Sequence, residues 1–188
     1  MNGNESIAAS VLGAELDAAA LLPGARFIPS PNCDSRPPGA SVELIVIHAI
    51  SLPPGEFGGD GIECLFTNRL DPDAHGYYAE IQQLRVSAHF LIRRDGEVVQ
   101  YVPCDRRAWH AGLSSWNGRE RCNDFSIGIE LEGCDESPFE EVQYAVLAHL
   151  LQVLRRAYAI AAVVGHAEIA PGRKTDPGPC FDWSRVRC

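Results

Sequence analysis

Several things are missing from these 188 residues, and each absence removes a class of protein. No two of the seven cysteines are spaced as CxxC, which excludes a zinc ribbon and a thioredoxin-type redox motif. The first positive side chain is Arg26, and the Ala-rich run from Ile7 to Leu22 is broken by Glu15 and Asp17. That stretch is read as neither a secretory signal nor a membrane span. No repeat or low-complexity segment occurs. Positive charge is scarce, the formal net charge being -9, which argues against nucleic-acid partners and a basic membrane-surface helix. With an odd number of scattered cysteines, free thiols in a reducing cytoplasm are expected.

What is present fits one domain large enough to bury a real core. Residues 1–25 read as an extension, a polar tail followed by a weak amphipathic helix, and the folded domain is expected over 26–188. Val42–His48 has the β-branched apolar pattern of a buried strand, with His48 at its end. The following stretch from Ser51 to Val86 shows little periodicity beyond a short helix near Ile62–Thr67. A long loop inside a compact domain is usually a lid or a pocket wall. Ala88–Arg94 and Glu97–Val102 flank Asp95-Gly96 as a hairpin with type I′ turn chemistry.

Ser126–Glu132 alternates, placing Ile127, Ile129 and Leu131 on one face and Glu130 and Glu132 on the other. Ser137-Pro138-Phe139-Glu140 reads as a capping box opening a helix whose apolar stripe is Phe139, Val142, Val146, Leu150, Leu154 and Ala157. Ala162–Gly165 is a last short strand that delivers His166. The expected architecture is α/β, a mixed central sheet flanked by helices.

Chemistry concentrates in Gly165–Pro179, where His166, Lys174 and Asp176 share a loop stiffened by proline and glycine. His48 and His166 each end an apolar strand, where α/β sheets gather ligands. Two histidines and an aspartate make a three-ligand zinc set with a fourth position for water. By spacing alone this set competes with three unrelated surface or core residues. Periodicity does not choose between Glu130 and Glu132. Of the other histidines, His75 reads as a solvated loop residue, His89 as a buried imidazole bonded to backbone, and His149 as a helix-surface or core-edge residue. His110 is either a substrate contact or a neighbour of Trp109. Arg85, Arg119 and Arg121 are solvated residues or partners for substrate carboxylates.

Five ordered motifs resemble the AmpD family, the cytoplasmic N-acetyl-anhydromuramyl-L-alanine amidases of peptidoglycan recycling. They are His48–Gly59, Arg85–Ile92, Arg107–Gly112, Gly118–Gly133 and the closing loop. The resemblance implies a zinc amidase domain in which His48, His166 and Asp176 bind one Zn2+. It puts Glu130, not Glu132, at the catalytic position, with Lys174 as the catalytic lysine. Arg85 and Arg121 match positions that meet stem-peptide carboxylates, and an anhydro-muropeptide is the implied partner; from its own surroundings His110 is counted with them as a substrate contact. The Leu52-Pro53-Pro54-Gly55 loop favours this family over its periplasmic relatives. Ala49 and Ala167-Glu168 depart from the family pattern, which has asparagine at the first position and a Cys-Asp or Cys-Asn pair at the second. The competing function is a non-catalytic peptidoglycan-binding module.

Overall fold

The computed structural model describes residues 14–186. Its frame is a six-stranded mixed sheet in the order β1-β5-β4-β9-β3-β10. The strands are β1 (Arg26–Phe27), β3 (Leu44–Ile50), β4 (Phe90–Ile92), β5 (Val98–Gln100), β9 (Ser126–Glu132) and β10 (Ala162–Gly165). Only β4 and β5 pair antiparallel; the other four contacts are parallel. β2 (Cys33–Ser35) pairs with β6 (Arg106–Ala108), and β7 (Ser115–Trp116) with β8 (Arg119–Glu120), as separate two-stranded ribbons. The expected α/β architecture with a mixed sheet is therefore present.

β9 is central and buried along its whole length. Its odd-numbered apolar residues join Ile45, Ile47, Phe90 and Ile92 beneath the long helix α3 (Glu141–Ala157). That helix buries Tyr144, Val146, Leu147, Leu150, Leu151, Val153 and Leu154, each large side chain contributing about 1.5–3 kcal/mol. Ala157, expected on the stripe, is exposed in the last turn. The helix also starts later than Ser137-Pro138 suggested. Cys134 and Ser137 pair as an isolated bridge, so Ser137 is not free to cap. Glu140 is the cap instead, its N–H donating to Gln143 Oε1 at 2.9 Å.

The opposite face is divided. Leu52, Ile62, Leu65 and Phe66 form one apolar cluster with Leu91, Val99 and Tyr101. Leu44, Val46, Ala111, Phe125, Val164 and Ile169 form another. Between them runs the polar side of β9: Ser126, Gly128, Glu130 and Glu132. The Ser51–Val86 stretch contributes α1 (Gly61–Phe66) and α2 (Gly76–Ile81) and packs over this face as a wall.

Two expectations are corrected by hydrogen bonding. β3 runs two residues beyond His48, because Glu130, Leu131 and Glu132 pair with His48, Ala49 and Ile50. In the β4–β5 hairpin Gly96 donates to Arg93 O and alone in the turn has positive φ, at 88°. A type I′ turn needs two such residues; this is a type I turn at Arg94-Asp95 followed by a left-handed glycine. The expected N-terminal helix is absent from residues 14–25. Asp17 Oδ1 accepts from Ala19 N and Leu21 N there, closing a turn, while the rest of that expectation lies outside the described residues. Leu22 is buried in the core and donates its N–H to Gln100 Oε1.

Candidate metal centre and active site

Parallel pairing sets His48 of β3 beside Glu130 of β9. β10 pairs with β3 through Gly165↔Ile47, so the next residue, His166, arrives level with His48. His166 opens the one-turn helix α4 (His166–Ile169), where Gly165 N donates to Glu168 Oε2 at 2.7 Å. The closing loop is tied back by Ala167 N donating to Asp176 O at 2.9 Å. Asp176 thereby reaches both imidazoles.

Three acceptor-capable atoms converge. His48 Nδ1 lies 2.9 Å from His166 Nδ1, and Asp176 Oδ2 lies 3.1 and 3.0 Å from those nitrogens. His166 Nε2 is 3.2 Å from Ala111 O, which can only accept, so Nε2 carries the proton and Nδ1 is a bare lone pair. Burial pushes His48 down to about 4 against the opposing pull of Asp176, so the ring is neutral near pH 7. Two imidazoles and a carboxylate, at 2.9–3.1 Å, fit a divalent cation. The edge of a tetrahedral zinc site with bonds of about 2.05 Å is about 3.3 Å, only a few tenths longer. The three residues form a potential metal site among the described residues.

Around them is a cleft of about 500 Å³. One side carries His48, His110, Glu130, His166, Lys174 and Asp176; the other is built by the 51–87 segment, including Leu52, Tyr77 and Leu84. That segment is a pocket wall, as expected from its length. The two glutamates that sequence periodicity left equivalent are now distinct. Glu132 is held by Gly58 N, Arg94 N and Arg93 Nη2 at 2.7, 3.1 and 3.4 Å. Glu130 faces the cleft, and its buried Oε2 has no hydrogen-bond partner. Burial, reinforced by Asp176 and opposed by Lys174, pushes Glu130 well above the usual carboxylate range. Lys174 lines the same cleft with an exposed side chain.

The three expected substrate contacts lie apart from one another. His110 is buried behind His48, 2.9 Å from its Nε2, and touches Ser126 Oγ on the far side at 3.1 Å. Arg85 is exposed and donates to Gln82 O and Leu84 O, outside the cleft lining. Arg121 pairs with Asp124 at 3.3 Å and borders an adjoining hollow of about 420 Å³ that it shares with Arg173. The cations that line the cleft itself are Arg173 and Lys174, both on the closing loop. Of the remaining histidines, His89 accepts from Gly128 N, bonded to backbone as expected, and His75 caps α2 by accepting from Tyr77 N. His149 is a half-buried residue of α3.

Sequence reasoning missed four supports. Asn123 Oδ1 accepts from His110 N and Ala111 N, and Arg173 Nη2 donates to Ala111 O and Leu113 O. Ser126 holds the far side of His110. At Gly128 a Cβ would meet the His110 ring at 2.5 Å. The one available signal was Gly128 itself, since glycine inside a strand marks close approach by another group.

Comparison with known proteins agrees with this geometry. Residues 38–179 match the family model described as N-acetylmuramoyl-L-alanine amidase. The chain is 60% identical over 168 residues to Escherichia coli (strain K12) 1,6-anhydro-N-acetylmuramyl-L-alanine amidase AmpD, covering 88% of this chain and 92% of that one. It is 52% identical to the Haemophilus influenzae AmpD over 88% and 91% of the two chains. Among solved structures, a selenomethionine AmpD derivative superposes with a TM-score of 0.89 at 60% identity, covering 92% of this chain and 97% of that chain. The E. coli amidase AmiD, solved with anhydro-N-acetylmuramic acid-L-Ala-D-gamma-Glu-L-Lys, gives 0.57 at 33% identity, with 80% and 59% covered. The sheet, the converging ligand set and these matches lead to one assignment: the chain belongs to the N-acetylmuramoyl-L-alanine amidase family.

Proposed function

We propose that this protein is a zinc-dependent amidase that hydrolyses the bond between anhydro-N-acetylmuramic acid and L-alanine in muropeptides. The observation that carries the reading is the meeting, in one cleft, of three metal-suited donors with an unpartnered buried carboxyl and a lysine. The substrate class is supported by the names of the AmpD relatives and by the muropeptide bound to AmiD. His48, His166 and Asp176 would hold the ion. When bound, zinc supplies Lewis acidity, which lowers the pKa of water to about 7 and so provides a nucleophile at neutral pH.

Glu130 takes the proton from the attacking water at Oε2 and returns it to the departing alanine nitrogen. A carboxyl raised by burial suits both steps, because it accepts and releases a proton closer to neutrality. Lys174 donates to the oxygen of the carbonyl under attack as negative charge develops there. One such donor is worth about 3–4 kcal/mol in the barrier. Arg173, held against the Ala111 and Leu113 carbonyls, fixes the loop that carries Lys174. Arg121, across the hollow it shares with Arg173, is assigned to distal carboxylates of the stem peptide. Arg85 reaches them only by releasing the carbonyls of Gln82 and Leu84.

We assign the reaction to turnover of cell-wall fragments in the cytoplasm. The anhydro sugar in the relatives' names supports this, as do the six described cysteines, all of them free thiols. Among the described residues no helix is long and apolar enough to cross a membrane. A non-catalytic binding module has no need of the unpartnered Glu130. The test is peptide release from an anhydro-muropeptide by zinc-loaded protein. Chelation should abolish release and zinc should restore it, while Asp176→Ala should lose most of its metal. Turnover that survives complete metal removal refutes the proposal.

A further inference from the structure

Behind His48 runs a hydrogen-bond chain whose proton positions can be worked out from its far end. That end is Cys122 O, a backbone carbonyl that can only accept. Ser126 Oγ lies 2.6 Å from it, a separation that an O–H···O bond explains and two opposed lone pairs do not. The hydroxyl proton therefore points at Cys122, and Oγ accepts from His110 Nε2 at 3.1 Å. With its proton on Nε2, a neutral His110 presents a lone pair at Nδ1. His48 Nε2, 2.9 Å away, must then be the donor. His48 Nδ1 is left bare, facing His166 Nδ1 and Asp176 Oδ2.

The surroundings hold this chain in place. His110 lies against Gly128, where no side chain would fit, and its backbone N–H is tied to Asn123 Oδ1. The two ligand histidines are thus oriented by different means. His166 leans directly on a backbone carbonyl, Ala111 O, whereas His48 depends on two side chains before backbone is reached. Orientation of a ligating imidazole through its second nitrogen fixes the tautomer and strengthens the ligand.

We propose that His110 and Ser126 are positioning residues that fix the His48 proton on Nε2 and aim its Nδ1 lone pair at the metal. The inference rests on the reading that His48, His166 and Asp176 hold zinc. Neither residue needs to touch the reacting atoms, so His110 has this role in place of the expected substrate contact.

Long-range 15N–1H correlation spectra of the full-length, metal-free protein read the proton positions directly. His48 and His110 should both appear as Nε2–H tautomers; an Nδ1–H form of either overturns the proposal. Zinc affinity, measured by chelator competition, supplies the second arm. His110→Phe fills the space over Gly128 without an acceptor and should weaken zinc binding about 10–100-fold. His110→Asn, with an amide oxygen near the Nδ1 position, should recover most of that loss, and Ser126→Ala should fall between. Unchanged affinity in His110→Phe, or equal losses in the Phe and Asn variants, refutes the relay and leaves His110 a packing residue. A parent protein that binds no zinc sinks the metal reading alone, and the spectra still decide the proton positions.

Discussion

The two faces of β9 are equally buried and held in opposite ways. Beneath α3, Ile127, Ile129 and Leu131 meet other hydrocarbon, and any shape that fills the volume satisfies them. Facing the cleft, Ser126, Glu130 and Glu132 are buried polar groups, and each needs a particular partner or a functional reason to lack one. Ser126 and Glu132 have their partners; Glu130 Oε2 does not. One strand therefore carries apolar packing on one side and buried polar groups on the other, separated by the alternation of its side chains.

The sharpest way to test that separation is Glu130→Gln. The amide keeps the volume and removes the proton chemistry, so turnover should fall about 10³-fold, roughly 4 kcal/mol, with zinc content and melting temperature unchanged. Loss of the fold instead would mean that the carboxyl is structural. Across the strand, Ile129→Ala should cost about 2–5 kcal/mol of stability in urea unfolding. The protein that stays folded should keep its kcat, and a parallel fall in kcat would show that the faces are not independent.

Glu132→Ala, on the cleft face but fully bonded in the parent, should behave like a core change. It leaves Gly58 N and Arg94 N without acceptors and should cost about 1–3 kcal/mol of stability, with a far smaller loss of turnover than Glu130→Gln. Equal kinetic losses at the two positions would erase the distinction between them. The last test concerns His89, also on the cleft side of the sheet, and its effect appears only in acid. Burial, helped by the nearby Arg36, pushes its pKa from 6.5 to about 3. The folded protein therefore keeps this ring neutral while the unfolded chain takes up a proton below about pH 6.5. Its contribution to stability is complete above that pH and declines as pH falls toward 3, by about 1.4 kcal/mol per pH unit. Metal-free His89→Gln should show a slope shallower by about one proton between pH 6 and 4, and identical slopes would mean His89 is protonated when folded.

What could be read from the chain follows the same division. Alternation in Ser126–Glu132 and the short run Ala162–Gly165 appear in the structure at the expected bounds, because apolar periodicity is a local property. The choice between Glu130 and Glu132 was not local. It depended on where Gly58 and Arg94 end up, and those residues are far away in sequence. Ser126 stayed hidden for the same reason, as did the link from His110 to His48, since both lie on a bond path that crosses β3 and β9. The start of α3 was misplaced because Ser137 looks like a cap until its bridge to Cys134 is known.

The wall between Ser51 and Ser87 leaves the sheet after β3 and returns before β4, the two strands that flank β9. His48 precedes it, and Glu130, His166 and Asp176 all follow it. The wall of the cleft and the converging His48, His166 and Asp176 thus lie on separate stretches of chain. A change within that wall can therefore reshape the cleft and leave His48, Glu130, His166 and Asp176 as they are.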